Sequence, residues 1–480
     1  MIFLAKNIIY KASEGRMKLK LKNVGKIKEA DIELSGLTLI AGPNDSGKST
    51  VGKVSFALVK SIANYPALFN QIQIEKLYKE YLNPLRLELR ELSNSVSFHS
   101  SSLFRTDEIL EKKPKLLKAI RALYGHFEFS MDISHIKSLL KDILNNSNDL
   151  ENKENIQNSV NSTINFLSHN NSSTEKIQLI SNRIFQDVFE SNINNSAYRN
   201  DNASIIFENN DINIISLNSN NDNIICDSFS ENFPIFSDAT LIDNPFLLED
   251  NYNLYGEYRN RFIPMMLKPM ETKIIDSSTD LVEKEKIAAK RLNKENYHEN
   301  LLKEFENIFN SAQFKYSSND GRLKYKVNSK AKELEISNIA SGCKSFGILY
   351  ILLKTGVITK DSLIILDEPE NHLHPEWQIK YAEIICKMVK NGFYVLLTSH
   401  SPYMIQALRT YSEREEIFDK KVNFYFASKD KNGKNYSIIE NVKNEDGIFD
   451  DSRIFQSLYS PIETLDEIYS EINLKVGASL

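Results

Sequence analysis

The chain has 480 residues, a mass of 55.1 kDa and 41% hydrophobic residues, enough to build the cores of two or three ordinary domains. Its formal net charge of −5 gives no overall basic excess, so any contact with nucleic acid has to be local. The three cysteines are far apart in sequence, which argues against a CxxC metal site or a disulfide framework and favours a reducing, cytoplasmic setting. No run approaches about 18 consecutive apolar residues, so we expect no membrane-spanning helix.

The N-terminal part predicts an extension followed by strands, a turn and a helix. Residues 1–16 are mildly apolar with scattered lysines, and we interpret them as an extension, not as a signal peptide. From Met17 the runs MKLKLKNV, IKEADIEL and LTLIAG predict three strands. A helix with one apolar face follows over about residues 49–62. Residues 17–62 are therefore predicted as the first part of a split domain.

Residues 63–324 are interpreted as a largely helical, Asn-rich insertion. Helical patterns predominate up to about residue 144, and the stretch from Asn145 to Asn223 contains 23 asparagines, a composition typical of loops and mobile inserts. Within it, STEKIQLISNRIFQDVFES carries one apolar stripe behind a Ser/Thr cap and predicts a docked helix. The short β-like runs ASIIFE, INIISL and NIICD follow it.

Regular alternation of strands and helices returns over residues 325–480. The pattern predicts a helix that begins near Cys343, a strand SLIILDE, a helix begun by Pro375, a strand FYVLLTSH and a helix begun after Ser401. A closing hairpin and a helical tail follow. Such alternation predicts an α/β fold with a mostly parallel, helix-flanked sheet whose two parts lie at opposite ends of the chain.

The run GPNDSGKST follows a strand and precedes a helix, which is the context that a G-x-x-x-x-G-K-[ST] phosphate loop requires. In such a loop backbone N–H groups bind phosphate oxygens, Lys48 neutralises their charge and Ser49 ligates Mg²⁺. The predicted ATP-binding residues are Asn44, Asp45, Ser46, Gly47, Lys48, Ser49 and Thr50.

Two further strands end in polar residues that suit phosphate chemistry. SLIILDE ends in Asp367, a predicted Mg²⁺ ligand with Ser49, and in Glu368, predicted to accept the proton of an attacking water. VLLTSH ends in His400, which we predict to be catalytic because a strand end places the imidazole near the γ-phosphate; a structural role is the alternative.

The run NIASGCK opens an apolar helix and is a candidate second anion site. Ser341, Gly342 and Lys344 contribute N–H groups and a positive charge at the start of that helix. Taken alone this signal is weak, because many helices begin with a capping serine.

These motifs, in this order, resemble those of the ABC-type ATPase superfamily. GPNDSGKST resembles its Walker A motif, ASGCK its signature, LIILDEP its Walker B motif and TSH its switch histidine. The resemblance implies a split ATPase head, ATP and Mg²⁺ as cofactors, and a homodimer or higher oligomer in which the signature residues act on the ATP of the other chain. In departure from the pattern, Asp45 and Cys343 replace glycines and His374 stands where an aspartate is usual.

Within the superfamily, DEPENHLHPEWQ and TSHSPYMIQAL resemble the RecF- and OLD-like ATPases, which are similar in turn to SMC heads. Only about 50 residues follow Ala427, too few for the Toprim nuclease domain of the OLD proteins. The short Walker A part and the segment DNPFLLEDNYNLY most resemble the PtuA ATPases of Septu-type and retron-associated anti-phage systems. This resemblance implies control of an HNH nuclease partner, and in retron systems also a reverse transcriptase and its DNA product.

Two other functions stay open on the sequence alone: a RecF-like DNA-repair clamp, and an ATP-binding scaffold that does not hydrolyse ATP. The basic stretches EKKPKLLKAIR and EKEKIAAKRLNK are candidates for nucleic-acid contact, although intermixed glutamates also suit a solvated helix face. His372 and His374 have no neighbouring metal-ligand cluster, so we interpret them as loop scaffold.

Overall fold

The fold is known from a computed structural model, in which the chain forms two compact units. One unit comprises Met1–Asn64 and Ile177–Leu480, and the other comprises Tyr65–Lys176. The N-terminal extension up to residue 14, both basic stretches and all of DNPFLLEDNYNLY except Asp243 lie outside the described residues. The structure describes residues 15–63, 65–82, 85, 133–146, 153–190, 193–194, 202–220, 223–231, 236–243, 299–308, 313–317, 322–326, 332–335, 338–354, 358–429, 436–443 and 449–477.

The larger unit is built on a sheet of 11 strands, with a separate antiparallel sheet of three. Across the large sheet the order is β6-β5-β4-β1-β2-β14-β13-β3-β12-β11-β7, and β8, β9 and β10 form the small one. In chain order the strands are β1 (Met17–Val24), β2 (Ile27–Leu34), β3 (Leu37–Ala41), β4 (Ser204–Asn209), β5 (Ile212–Asn220), β6 (Asn223–Phe229), β7 (Asp238–Ile242), β8 (Gln313–Ser317), β9 (Arg322–Lys326), β10 (Leu334–Glu335), β11 (Ser362–Asp367), β12 (Tyr394–Ser399), β13 (Val422–Lys429) and β14 (Ser437–Asn441).

The predicted α/β fold with a helix-flanked sheet is confirmed, and the sheet is mixed. The neighbours β13, β3, β12, β11 and β7 run parallel. In the other half of the sheet, the neighbours β6, β5, β4, β1 and β2 pair antiparallel. Short turns join β1 to β2, β4 to β5 and β5 to β6, and only antiparallel neighbours allow such turns. The parallel half therefore carries the strand ends that were predicted to hold the phosphate site.

Strand burial explains the difference between the two halves. All five residues of β3 are buried, as are five of the six in β11 and in β12, so both faces of this half are covered. In β1, buried residues alternate with partly buried or exposed ones over Met17–Lys22, which matches one covered face. Continuous apolar runs thus mark the strands next to the site.

Helices cover the parallel half and build the smaller unit. Within the described ranges, none of them is both long and apolar enough to cross a bilayer. A short π-helical segment, Leu77–Leu82, follows α2. In chain order the helices are α1 (Lys48–Ala63), α2 (Tyr65–Lys76), α3 (Ile133–Asn146), α4 (Lys153–Ser168), α5 (Ser173–Phe189), α6 (Glu299–Ile308), α7 (Ser341–Lys354), α8 (Pro375–Lys390), α9 (Pro402–Arg414), α10 (Phe418–Lys421) and α11 (Ser452–Gly477).

Local capping sets where α8 and α9 begin, directly after the two loops of the candidate site. Nδ1 of His374 accepts a hydrogen bond from the Glu376 N–H at the start of α8, and Oγ of Ser401 accepts one from Met404 N–H at the start of α9. Each helix also has proline in its first turn, where no N–H is needed. The histidine at the position of the usual aspartate is therefore a helix cap.

The smaller unit has its own apolar core, formed by α3, α4 and the π-helical segment. The rings of Tyr81 and Phe166 stack with centroids 4.5 Å apart. The buried core residues are Leu77, Leu82, Leu85, Ile136, Leu139, Leu140, Ile143, Ile156 and Val160.

Part of the predicted insertion, residues 63–324, contributes to the large sheet. β4 pairs with β1, and β7 pairs with β11 in the parallel half. The predicted docked helix is α5, whose Asn182 amide both donates to and accepts from the backbone of Ile224 in β6. These strands, and this helix from Ile177 onward, lie within the larger unit; the predicted domain boundaries otherwise stay a prediction.

Candidate functional site

The carboxyl ends of four parallel strands meet at one edge of the sheet. The register places Ala41 of β3 beside Ser399 of β12, and Thr398 of β12 beside Asp367 of β11. The GPNDSGKST loop follows β3, the acidic pair lies at the end of β11, and His400 follows β12. Ligands of open α/β sheets bind at such an edge. The phosphate loop therefore lies beside two motifs that follow it by more than 300 residues in the sequence.

The loop between β3 and α1 is shaped closely around its backbone. The N–H of Gly42 donates to Ser399 O at 3.3 Å, and a Cβ at Gly42 would lie only 2.6 Å from Ala427 O, so this position requires glycine. Oγ of Ser46 is buried without a hydrogen-bond partner among the described residues. A buried hydroxyl of this kind can donate a hydrogen bond to a phosphate oxygen.

Lys48 places a buried ammonium group inside this loop. Its side chain is 3% exposed, its Nζ donates to Pro43 O at 2.8 Å, and Nζ lies 3.4 Å from Oε1 of Glu368. Burial lowers the pKa of Lys48, while the Glu368 carboxylate opposes that effect. A largely desolvated cation, held by one carbonyl and one carboxylate, suits binding of a polyphosphate.

Glu368 is held in a fixed position at the end of β11. Its φ of 46° is in the left-handed region, uncommon for a residue with a side chain, and its N–H donates to Thr398 Oγ1 at 3.0 Å. Nδ2 of Asn371 donates to Oε2 at 3.3 Å. Interaction with His400, whose Nδ1 lies 3.4 Å from Oε1, has the largest effect and with Lys48 lowers the pKa of Glu368 to about 2.

The predicted metal ligands are an acidic strand end and a helix start. Oδ1 of Asp367 accepts a hydrogen bond from Thr398 Oγ1 at 2.5 Å, and Ser49 is the second residue of α1. In the part of the chain that the structure describes, no group of three or more His, Cys, Asp or Glu side chains could hold a metal by itself. One carboxylate and one hydroxyl fit Mg²⁺, which keeps several water or phosphate ligands.

Asp243 is a further carboxylate at this edge that the sequence did not reveal. It directly follows β7, whose Ile242 pairs with Leu366 of β11, so Asp243 comes next to Asp367 along the sheet edge. Desolvation and, to a smaller extent, the Asp367 charge raise the pKa of Asp243. The strand pairing that brings it here joins distant parts of the chain.

Asp45, the residue that replaces a usual glycine, is explained by the structure. Its φ of 64° is in the left-handed region, which aspartate and asparagine tolerate better than most residues. Its carboxylate forms an ion pair with Lys26 in the turn between β1 and β2, and this pair lowers the pKa of Asp45. Asp45 thus keeps the loop geometry of a glycine but adds a negative charge, which Lys26 compensates.

We expect opposite effects on ATP affinity from the two members of this pair. Asp45→Asn keeps a residue suited to the left-handed region and removes a negative charge near the phosphates, so the Kd for ATP should fall about 2- to 5-fold. Lys26→Ala leaves the carboxylate uncompensated, so the Kd should rise by a similar factor of about 2 to 5. Titration with a fluorescent ATP analogue at low and high salt measures both effects. A change in the same direction for both variants would contradict this role of the pair.

The predicted signature residues lie at the start of α7. Ser341 is the first residue of the helix, and a Cβ at Gly342 would lie 3.2 Å from Cδ2 of Leu373, in the loop that follows Glu368. Lys344 is buried. Phe346 of α7 packs edge-on against Tyr381 of α8, with centroids 4.9 Å apart. Action across a dimer needs a second chain and stays a prediction.

Two further residues of the site were missed as functional in the sequence. Thr398 links the acidic pair, because its hydroxyl contacts both Asp367 Oδ1 and the Glu368 N–H. Glu370 is 4% exposed and accepts hydrogen bonds from the loop that carries His400. Both occur within quoted motifs, TSH and DEPE, but only the folded contacts distinguish their roles.

Comparison with known proteins gives one family and one short curated match. A family model described as AAA ATPase domain matches residues 17–405. Over 87 residues the chain is 34% identical to the Septu protein PtuA of Bacillus thuringiensis. This segment covers 16% of the present chain and 22% of the length of that protein.

Solved structures that resemble the chain include SMC head domains. The SMC head domain from Thermotoga maritima gives a TM-score of 0.34 at 10% identity, covering 89% of this chain and 100% of that one. An SMC head bound to the C-winged helix domain of ScpA gives 0.41 at 13% identity, covering 90% and 99%. With TM-scores below 0.5, neither likeness supports a conclusion about function.

Proposed function

Because this chain belongs to the family of AAA ATPase domains, we propose that it binds ATP with Mg²⁺ and hydrolyses ATP at the sheet edge formed by β3, β12, β11 and β7. The observation that carries the proposal is the meeting of Lys48, Glu368 and His400, with contacts of 3.4 Å from Glu368 Oε1 to each of the other two. Purified protein should release phosphate from ATP. Absence of turnover with and without partner and DNA would contradict the enzyme assignment.

Different groups of the loop bind the phosphates and the Mg²⁺ ion. The loop N–H groups and the start of α1 bind phosphate oxygens, and the Lys48 ammonium neutralises part of their charge. Asn44 and Gly47 complete the loop, which begins at Gly42, and Thr50 lies in the first turn of α1. Ser49 and Asp367 would hold Mg²⁺, which when bound supplies charge neutralisation on the phosphates.

Glu368 and His400 carry the chemical step. Glu368 takes the proton of the attacking water, and His400 donates a hydrogen bond to the developing phosphate charge. Without phosphates the nearby His400, and to a smaller extent Lys48, lower the pKa of Glu368 to about 2, which makes it a weak base. Phosphate oxygens compete for the Lys48 ammonium, so occupation of the loop weakens its hold on Glu368 and raises the basicity of that carboxylate.

We place Ser341, Gly342 and Lys344 at the ATP of a second chain, which makes the active form a dimer or higher oligomer. Ser341→Arg should then lower hydrolysis at least about 10-fold by obstructing that contact, while a single chain still binds ATP. Steady-state hydrolysis and nucleotide binding are measured side by side, with Thr410→Arg on the exposed side of α9 as the matched control. Unchanged hydrolysis in Ser341→Arg would contradict the shared site.

The broader role we propose is control of a nuclease in cytoplasmic anti-phage defence. The short match to the Septu protein PtuA supports it, as do the motifs that resemble that family. The expected partner is an HNH nuclease, joined in a retron system by a reverse transcriptase and its DNA product. Copurification of the tagged chain from its native operon, with the bound proteins and nucleic acid identified, tests the role. Recovery of DNA without any nuclease would favour a RecF-like repair clamp instead.

A further inference from the structure

Glu370 is a buried carboxylate behind the candidate catalytic residues. It lies in the loop between β11 and α8, three residues after Asp367, and is 4% exposed. It is neither a predicted ATP contact nor a predicted metal ligand. A buried carboxylate is costly unless neighbouring groups stabilise it, so its surroundings indicate what it does.

One oxygen of Glu370 organises the neighbouring loop. Oε1 accepts hydrogen bonds from Ser399 Oγ at 2.7 Å, His400 N–H at 2.9 Å and Ser401 N–H at 3.3 Å. These three donors are consecutive residues, the last of β12 and the two that connect it to α9. Ser401 is also held by the buried Gln378 of α8. The carboxylate therefore ties the His400 loop to the loop that carries Glu368.

The same oxygen faces the imidazole of His400. Nδ1 of His400 lies 3.4 Å from Oε1 of Glu370 and 3.4 Å from Oε1 of Glu368, longer than an ordinary hydrogen bond in both cases. Nδ1 of His400 and Oε2 of Glu370 are both buried and have no hydrogen-bond partner among the described residues. The imidazole of His400 thus lies between the buried carboxylate of Glu370 and the more exposed carboxylate of Glu368. A small shift of the ring would bring Nδ1 within hydrogen-bond distance of either one.

We propose that Glu370 is a positioning residue that holds His400 in its working orientation and keeps its imidazole protonated for the hydrolysis step. The inference rests on the proposed ATPase function. Glu370 itself is buried, and we assign its effect on hydrolysis to His400, whose imidazole its Oε1 faces. Glu368, the other carboxylate against Nδ1, remains the base that contacts water.

Charges around His400 agree in direction with this role. Interaction with Glu368 is the largest effect and, with the charge of Glu370, raises the pKa of His400, whereas burial and the Lys48 cation oppose the rise. Burial raises the pKa of Glu370, and its hydrogen bonds from Ser399 and His400 favour the ionised form. Buried Tyr381 and the Lys48 ammonium are further titratable groups near Glu370. Burial and the charge of Glu370 raise the pKa of Tyr381, and the same charge opposes the lowering of the Lys48 pKa by burial. Removing the charge of Glu370 should therefore lower the pKa of His400.

Glu370→Gln is the informative substitution, because the amide oxygen can still accept from the loop N–H groups while the negative charge is lost. We expect kcat to fall about 10- to 100-fold with the Kd for ATP within about 2-fold of wild type. The alkaline limb of the kcat–pH profile should move to lower pH, since His400⁺ then loses its proton more easily. Glu413→Gln, an exposed carboxylate on α9, is the matched control and should leave kcat, Kd and the pH profile unchanged.

A double-mutant cycle separates positioning from a structural role. In a His400→Ala background, Glu370→Gln should lower kcat no further, because its effect passes through the imidazole. An equal loss in both backgrounds, or an unchanged pH profile in the single variant, would overturn the proposal. Wild-type protein assayed in parallel tests the ATPase function separately.

Histidine NMR gives a readout that does not depend on turnover. The chain has 8 histidines, and His400→Ala identifies the His400 signal. In Glu370→Gln the His400 signal should titrate at lower pH than in wild type. If Glu370→Gln does not fold, Ser399→Ala, which removes one donor to Oε1, is titrated instead and should move the same signal. An unmoved His400 titration overturns the proposal even if wild type hydrolyses no ATP.

Discussion

Glu368→Gln is expected to lower the rate of ATP hydrolysis by about 10²- to 10⁴-fold, because a neutral amide cannot accept the proton of the attacking water. ATP binding should persist, since the amide keeps the size of the carboxylate and no longer competes with phosphate for Lys48 Nζ, 3.4 Å away. Phosphate release and equilibrium nucleotide binding are the two measurements. Chains that bind ATP without turning it over should also accumulate as dimers in size-exclusion chromatography.

The exposed Glu413→Gln is the control for this experiment, because it makes the same chemical change on the surface of α9. A Glu368→Gln variant with wild-type kcat would remove Glu368 from the mechanism. Loss of ATP binding together with kcat would instead assign Glu368 to the shape of the loop.

Lys48→Ala is expected to raise the Kd for ATP by at least about 100-fold, since each lost charge-assisted hydrogen bond to phosphate contributes about 1.5–3 kcal/mol. The effect should be large because the ammonium is buried, with the side chain 3% exposed, and water cannot replace it well. Isothermal titration or fluorescent-nucleotide binding measures the change.

Lys303→Ala, on the exposed surface of α6, is the matched control and should bind ATP like wild type. Lys48→Arg tests the shape of the site, because the larger guanidinium has to enter the same buried space and should not restore affinity. Binding within about 3-fold of wild type in Lys48→Ala would contradict the assignment of the phosphate loop.

The ATPase class of the chain could be predicted from local sequence. GPNDSGKST between a strand and a helix, and LIILDEPE at a strand end, indicate phosphate chemistry within a few residues, and the family match over residues 17–405 confirms an ATPase domain. The apolar runs of β3, β11 and β12 also predicted the parallel strands next to the site. Such signals survive without tertiary information because each depends on its immediate neighbours.

Sheet pairing, by contrast, depends on residues far apart in the chain. The pairing of β7 with β11 and of β4 with β1 could not be read from a predicted insertion whose apolar runs are short. Asp243 comes next to Asp367 only through that pairing. Asp45 stands where a glycine is usual, and the partner that compensates its charge, Lys26, lies in a different turn.

The sequence by itself determined the residues of the phosphate loop, the acidic strand end and the histidine, because short motifs encode their own backbone conformation. Only the tertiary structure decided how these residues act on one another. Glu368 affects the pKa values of both Lys48 and His400 across three separate segments of the chain, and Glu370 contacts the His400 loop from a buried position. Electrostatic coupling depends on the distance between two charges and on their burial, and neither quantity is determined until the chain has folded.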